Sequence, residues 1–497
     1  MKFAELMSKV GASYDVVGDH AQYKGLEVDG IVYDSRKVRP GDIFVAISGM
    51  KEDGHKYVPA ALANGAAALV VEHAQEEVPP AVPQIVVEDS RAFLGFLASA
   101  FYGEPDKELY LIGITGTNGK TTTTYLIKWL FECARRKTGL IGTIQNYIGE
   151  QRLPAHQTTP ESVEIFSMLR AMRDANCDSA VMEVSSHSLK QGRVALCDFD
   201  VAVFTNLTQD HLDYHHTFAD YRDSKAILFR MLRKAGARRP RFAVINRDDP
   251  AAAAMAENCL VPIYYYGIDK DADLRVRQYS SSPQGSSFIL EYRGQSYVVK
   301  IPLIGKFNIY NVLAALAVAC GSGLHMEDCL HWLGKAPQVP GRFELVDEGQ
   351  DFTVVVDYAH TPDGLLNVLN AARALSPRRL ISVFGCGGDR DRTKRPIMAK
   401  IGGENSDYVV LTSDNPRSED PYVILDEVEA GIKDLGKPYV KIENRREAIR
   451  AAIREAKSGD MIVIAGKGHE DYQLVKDQVL HFDDRETVRE ILREESR

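Results

Sequence analysis

Short, mainly apolar, strand-like runs recur along the chain, separated by stretches whose apolar positions fall three and four apart. The runs lie at 43–47, 68–71, 84–87, 109–114, 179–184, 201–207, 242–246, 352–356, 380–384, 408–411 and 461–465. A run of this length without polar alternation reads as a strand buried on both faces, as in a parallel sheet covered by helices. Helices are predicted at 58–64, at 91–101, and after Lys120, where Leu126, Ile127, Leu130 and Phe131 share a face. Another follows Asn308-Ile309-Tyr310-Asn311, with Leu313, Leu316, Ala317 and Cys320 on one side. Residues 274–304 instead alternate around the turn-forming Ser281-Ser282-Pro283-Gln284-Gly285, which predicts a small antiparallel insert. Gly103-Glu104-Pro105 and Pro337 to Pro340 punctuate the pattern. The expected fold class is therefore α/β in three domains, 1–106, 107–337 and 338–497, each repeating the strand–helix alternation.

Composition narrows the class. At 497 residues the chain exceeds a single core, and 45% apolar with 26% charged residues is the balance of a soluble globular protein. A formal charge of −9 argues against nucleic-acid binding through bulk positive charge, though not against a local basic pocket for a small anion. The seven cysteines form no C-x-x-C pair and read as reduced thiols. There is no apolar leader-like run near the start, and no run approaches the ~18 residues of a membrane span, so a cytoplasmic protein with no membrane partner is expected.

The chemistry centres on Gly113-Ile114-Thr115-Gly116-Thr117-Asn118-Gly119-Lys120-Thr121-Thr122. A strand, a glycine-rich turn and a helix start make a phosphate cradle: backbone N–H groups face the anion, Lys120 neutralises it, and the Thr121 hydroxyl faces Mg²⁺. The spacing departs from the usual P-loop, with Ile114 where a glycine belongs. In parallel sheets ligands gather at the carboxyl ends of strands. There lie Glu183-Val184-Ser185-Ser186-His187, the segment from Asn206 to His215, and Arg222-Asp223-Ser224-Lys225. Glu183 is a hard oxygen ligand for Mg²⁺. His211 is a second metal-ligand candidate, although a histidine there is more often structural. Lys225 as an ammonium cannot bind a metal, and by itself reads as a helix-surface lysine. In the third segment Arg390 and Arg417 offer charge to carboxylates, and Glu470 offers it to an ammonium. Taken singly each is also an ordinary solvated loop charge; together they read as a pocket for an amino acid. Gly385-Cys386-Gly387-Gly388-Asp389-Arg390 is only a weak dinucleotide signal.

Taken together, these motifs resemble the Mur ligase family of ATP-dependent amide-bond synthetases over nearly the whole chain. The resemblance is carried by the loop at 116–122, by Glu183-Val184-Ser185-Ser186-His187, by the helix start at 308–315, by Gly341-Arg342-Phe343-Glu344 and by Asp357-Tyr358-Ala359-His360-Thr361-Pro362. Three further motifs are more specific: His156-Gln157-Thr158-Thr159-Pro160, Asp210-His211-Leu212-Asp213-Tyr214-His215 and Asp414-Asn415-Pro416-Arg417. They are similar to the branch that adds the third residue of the peptidoglycan stem peptide. In that branch the last motif goes with meso-diaminopimelate.

The resemblance implies a UDP-binding domain at 1–106, a central P-loop-type ATPase domain at 107–337 and a Rossmann-like amino-acid-binding domain at 338–497. Asp34, Ser35 and Arg36 match a uridine-pocket stretch. Thr158, Thr159, Ser185, Gln191 and Arg193 match residues holding UDP-N-acetylmuramoyl-L-alanyl-D-glutamate. Gly116, Thr117, Asn118, Gly119, Lys120, Thr121, Thr122, Asn308, Arg342 and Asp357 match ATP contacts. Arg390, Asp414, Asn415, Arg417, Gly466 and Glu470 match a diaminopimelate pocket. Two Mg²⁺ ions are implied, with Thr121, Glu183, His211 and Lys225 as metal residues; the lysine acts as a carbamate, whose anionic oxygens can bind the ion. The implied protein is a cytoplasmic monomer that makes an acyl phosphate and closes its domains to exclude water from it. The competing readings are the same reaction with L-lysine, another Mur-type ligase, a folylpolyglutamate synthetase, and a non-catalytic nucleotide switch. The Asp34-Ser35-Arg36 stretch argues against the folate enzyme, and a switch has no need of Lys225, His211 and an amino-acid pocket together.

Overall fold

The computed structural model describes residues 1–18, 23–49, 52–208, 210–232 and 239–495. Gln209, within the 206–215 segment, lies outside them. The chain forms two compact units, one comprising Met1–Lys120, Phe131–Leu207 and His211–Tyr264, the other Thr121–Leu130, Thr208–Asp210 and Tyr265–Arg497.

In the first unit the N-terminal residues build a five-stranded sheet in the order Asp15–Val17, Gln84–Val86, Ala68–Val71, Asp42–Val45, Gly30–Val32. Only the Asp15–Val17 strand runs antiparallel to its neighbour. A second set of strands centres on Tyr110–Thr115, every residue of it buried. It pairs in parallel with Ser179–Glu183 on one side and Val201–Phe204 on the other. Phe242–Asn246 continues beyond Val201–Phe204, and Thr138–Ile141 beyond Ser179–Glu183. The run predicted at 109–114 is displaced by one residue. The Leu109 N–H is taken by Pro105 O, while Thr115 still pairs with Phe204. The run predicted at 201–207 ends at Phe204, after which Thr205 and Asn206 turn their hydrogen bonds toward the glycine-rich loop.

In the second unit the predicted insert is the antiparallel set Leu274–Ser282, Gly285–Tyr292 and Gln295–Ile301. The helix expected after Asn308 starts earlier, as Lys306–Gly321, and is buried nearly all round instead of on one face. The C-terminal sheet runs Glu344–Val346, Thr353–Asp357, Met461–Ala465, Leu380–Phe384, Tyr408–Leu411, Tyr439–Lys441, parallel except for its first strand. Apolar layers cover both faces, one built around Leu365, Phe384 and Met398, the other around Ile449, Val488 and Ile491. Every residue in the central Met461–Ala465 strand is buried, as its unbroken apolar run requires. Its carboxyl end and those of its neighbours release the loops that hold the third-segment candidates. A two-stranded hairpin, Tyr472–Val475 with Gln478–His481, follows.

Candidate active site

The glycine-rich loop is braced by the end of the neighbouring strand. Thr117 N–H donates to Asn206 O at 2.8 Å, and Asn118 N–H to Asn206 Oδ1 at 2.9 Å. In return Thr205 Oγ1 donates to Asn118 O at 2.6 Å. Gly116 has φ +147° and lies so close to Thr205 that a Cβ there would fall 1.9 Å from its Oγ1; only glycine fits. Lys120 Nζ donates to Gly116 O and to Thr117 O, both at 2.8 Å.

Lys225 is 1% exposed, on the helix Phe218–Met231, and its Nζ donates to the same Gly116 O at 2.9 Å while lying 4.5 Å from the centre of the Tyr221 ring. Two ammonium groups thus converge on one carbonyl oxygen, which gathers positive charge where the loop would cradle phosphate. Glu183 is fully buried at the end of its strand and accepts from Thr143 N–H at 2.9 Å and Thr143 Oγ1 at 3.0 Å. His211 is exposed, has φ +55°, and its ring centre lies 4.8 Å from that of His187. Among the described residues no group of three or more His, Cys, Asp or Glu side chains gathers to hold a metal ion. The buried Glu183 carboxylate is nonetheless a hard oxygen donor of the kind that suits Mg²⁺. Lys225 fits such a set only as a carbamate.

Sequence reasoning passed over His215, a buried residue that ties these pieces together. Its Nε2 lies 2.9 Å from Ser186 Oγ, and its Nδ1 lies 3.2 Å from Asp220 Oδ2 and 3.4 Å from Ser224 Oγ. It therefore joins the segment after Glu183, the segment after His211 and the helix bearing Lys225. Burial holds the imidazole below its ordinary pKa, against the pull of Asp220, which keeps it neutral.

The residues matched to the UDP-dipeptide do come together. Thr158 Oγ1 is 3.1 Å from Thr143 Oγ1, and Thr159 Oγ1 donates to Glu183 O at 2.9 Å and accepts from Ser185 N–H at 3.0 Å. Arg193 donates to Thr159 O at 2.9 Å and to Gln191 Oε1 at 2.6 Å, and pairs with Glu161 at 3.0 Å. Ser35 opens a 3₁₀ turn and is buried, while the Arg36 side chain is 87% exposed and forks onto Asp34. The link from this stretch toward the cluster is Tyr33, whose hydroxyl donates to Glu164 at 2.8 Å on the helix Ser162–Asp174.

In the second unit Arg342 donates to Thr121 Oγ1 at 3.3 Å, with its guanidinium 4.7 Å from the centre of the Tyr358 ring. Asp357 accepts from Phe343 N–H at 2.7 Å and from Ala359 N–H at 2.8 Å; burial raises its carboxyl, against the Arg342 charge. Asn308 is buried and faces the loop helix through a relay: it accepts from Asn311 Nδ2 at 3.0 Å, and Asn311 Oδ1 accepts from Thr123 at 3.5 Å. Gly341 and Gly468 pack backbone to backbone, since a Cβ on Gly341 would lie 2.1 Å from His469 N.

The third-segment candidates also cluster, except one. Asn415 Nδ2 donates to Glu470 Oε2 at 3.1 Å, and Asn415 Oδ1 accepts from Leu474 N–H at 3.0 Å. Arg417, at φ +54°, donates to Gly388 O at 2.7 Å and exchanges backbone hydrogen bonds with Leu474 and Lys476 of the hairpin. A Cβ on Gly466 would lie 3.3 Å from Asp414 Oδ2. Arg390 stands apart: it is exposed and donates to its neighbour Asp389 O. Two buried arginines that the sequence did not flag hold these loops. Arg395 grips Glu419, Glu427 and Gly387 O. Arg445 pairs with Asp484 at 2.7 Å and donates to Ser413 O and Ala465 O, the carbonyls just ahead of Asp414 and Gly466.

Family profiles match three stretches of the chain: "Mur ligase family, catalytic domain" at 27–102, "Mur ligase middle domain" at 114–319, and "Mur ligase, glutamate ligase domain" at 341–468. The chain is 49% identical over 468 residues to the UDP-N-acetylmuramoyl-L-alanyl-D-glutamate–2,6-diaminopimelate ligase of Syntrophomonas wolfei, covering 94% of this chain and 95% of that protein. It is 46% identical to the ligase of the same name from Geobacillus thermodenitrificans, over 99% of this chain and 100% of that one. Among solved structures, a UDP-N-acetylmuramoyl-L-alanyl-D-glutamate–2,6-diaminopimelate ligase matches with a TM-score of 0.68 and 35% identity, over 97% of this chain and 98% of that one.

Proposed function

The chain belongs to the Mur ligase family, and from that premise we propose that it is the ATP-dependent ligase that joins meso-diaminopimelate to UDP-N-acetylmuramoyl-L-alanyl-D-glutamate, forming ADP and phosphate in peptidoglycan precursor synthesis. The observation that carries the choice of amino acid is the cluster of Asp414, Asn415, Arg417 and Glu470, which offers both signs of charge around one pocket. Diaminopimelate carries two ammonium groups and two carboxylates and can engage both signs at each end. Lysine lacks the distal carboxylate.

In this reading residues 1–106 take the uridine, 107–337 the nucleotide and 338–497 the amino acid. The enzyme works as a cytoplasmic monomer. The glutamyl carboxylate attacks the γ-phosphorus and ADP leaves. The amine then attacks the acyl carbon, phosphate departs, and the amine gives up a proton. Lys120 swings from Gly116 O and Thr117 O onto the transferring phosphoryl group, where its charge is worth most. Thr158, Thr159, Ser185, Gln191 and Arg193 hold the UDP-dipeptide, and Arg193 keeps its direction through Glu161. Asn308, Arg342 and Asp357 contact ATP. Thr121, Glu183, His211 and a carbamylated Lys225 would hold two Mg²⁺ ions. Bound there, they would neutralise phosphate charge. Arg390, exposed on the 385–390 loop, would have to turn away from Asp389 O to join the diaminopimelate site.

The test is phosphate release from ATP in the presence of the UDP-dipeptide, screened across amino acids, with the product weighed by mass spectrometry. Release with meso-diaminopimelate and a product heavier by its residue is expected. Equal turnover with L-lysine would replace the amino-acid assignment, and no turnover with any amino acid would remove the reaction.

A further inference from the structure

A lysine with a side chain 0% exposed lies among the groups of the amino-acid cluster. Lys467 Nζ is 3.0 Å from Asn415 Oδ1, 3.4 Å from Glu470 Oε2 and 3.6 Å from Asp414 Oδ1. A buried ammonium is retained only where it is paired, and here it meets two carboxylates and an amide oxygen at once. Because Asn415 Oδ1 accepts from both Lys467 and Leu474 N–H, the amide cannot flip, so its Nδ2 must face Glu470. Asp414 Oδ1 is buried and has no hydrogen-bond partner among the described residues, although it lies within ion-pair distance of the lysine. Its lone pairs are unspent.

Neither of the nearby arginines can do this work. Arg445 is held by the fully buried Asp484 behind it and reaches Asp414 and Glu470 through its charge, not through a hydrogen bond given to them. The Arg417 guanidinium is directed to Gly388 O.

We propose that Lys467 is a positioning residue for the amino-acid ligand: it fixes the Asn415 amide and sets its charge against the two buried carboxylates, so that the Asp414 oxygen stays open for the incoming ammonium. The proposal rests on the ligase reading above and names what makes its pocket accept a cation. Glu470 is the group whose charge is at stake. Burial raises its carboxyl, Asp414 adds to that, and Lys467 and Asn415 oppose it. Arg445 and the phenols of Tyr358 and Tyr472 also lie within charge range of it, and Arg417 acts on the same Tyr472 ring. Without the lysine the balance tips toward the protonated acid, which cannot receive an ammonium ion.

The experiment compares Lys467→Met and Lys467→Arg with the wild type, after thermal melts establish folding. In Lys467→Met the KM for the amino acid should rise by about tenfold to a hundredfold, the range for losing hydrogen bonds to charged groups. The KM values for ATP and UDP-dipeptide should stay within about twofold, since this lysine touches no residue assigned to them. The acid limb of kcat/KM for the amino acid should move up by about one pH unit. Lys467→Arg, which keeps the charge and shifts the donors, should raise the amino-acid KM but leave that limb in place. An unchanged amino-acid KM in Lys467→Met, or a parallel rise in all three KM values, would overturn the proposal. If the Met variant does not fold, Lys467→Arg decides: a wild-type KM or a displaced acid limb overturns it. The wild-type amino-acid screen keeps the two readings separate. Should the wild type prefer another amino acid, the substrate assignment fails, and Lys467 is judged on the KM for that amino acid.

Discussion

Asp106, just ahead of the strand that leads into the phosphate loop, is the best place to test the physical reasoning on stability. It is 1% exposed; one carboxylate oxygen accepts from Asp198 N–H at 3.0 Å, and the other has no hydrogen-bond partner among the described residues. Burial, with the Asp198 charge adding to it, pushes the carboxyl from 3.8 up to about 6. A carboxyl raised on folding means that between these two values the folded state holds a proton the unfolded state has released. The unfolded state then binds fewer protons, so stability falls as pH rises across that window. Integrated from the two pKa values, the cost is about 1.6 kcal/mol at pH 5 and about 3 kcal/mol at pH 7.5. Asp106→Asn keeps an oxygen for Asp198 N–H and cannot ionise. The gain of the variant over the wild type should therefore grow by about 1.4 kcal/mol between pH 5 and pH 7.5, whatever constant offset the amide introduces. Asp200, with its carboxyl also pushed up to about 6, is present in both proteins and cancels in the difference. Urea unfolding at the two pH values, followed by tyrosine and tryptophan fluorescence, measures this difference. Parallel stability curves for the two proteins would refute the assigned burial cost.

Lys120→Ala is expected to abolish phosphate release while leaving UDP-dipeptide affinity, measured by calorimetry, within about threefold, because its Nζ donates to carbonyls of the glycine-rich loop, where the phosphates are expected. Lys225→Ala should lose nearly all activity, and short-chain carboxylates should restore part of it; mass spectrometry of bicarbonate-treated wild type should show the carbamate. Arg417→Ala should cut the preference for meso-diaminopimelate over L-lysine, by as much as about 10⁴-fold in a site built on a charged hydrogen bond. Competition of the two amino acids at equal concentration reads this out, and an unchanged ratio would remove Arg417 from the specificity assignment.

The mainly apolar runs were legible to the residue at Phe242–Asn246, Leu380–Phe384, Tyr408–Leu411 and Met461–Ala465, because a strand buried on both faces is apolar at successive positions and stands out from the polar turns beside it. The Gln145–Ile148 and Gln151–Pro154 strands and the Tyr472–His481 hairpin were not legible. They are half-exposed and polar, and pairing with neighbours defines them more than their own pattern does. At the site, glycines and strand-end carboxylates are the features by which the sequence singles out these loops. What escaped were buried cations with distant partners: Arg395 with Glu419, and Arg445 with Asp484. A lone arginine or lysine in a sequence reads as surface. Lys467 did carry a signal, since glycines flank it on both sides at φ +122° and +55°, the mark of a loop folded tightly against something.

The seam between Gly341 and Gly468 has a thermodynamic consequence. One glycine immediately precedes Arg342, matched to ATP; the other stands two residues before Glu470, matched to the amino acid. A Cβ on Gly468 would lie 2.7 Å from Tyr358 Cα and 2.8 Å from Gly341 O, so neither backbone can shift without displacing the other. Two ligands that each bias the seam share one coupling free energy. Any factor by which the amino acid changes the equilibrium affinity for ATP must then equal the factor by which ATP changes the affinity for the amino acid. A side chain forced into the seam, as in Gly341→Ala, should alter both factors together and by the same amount.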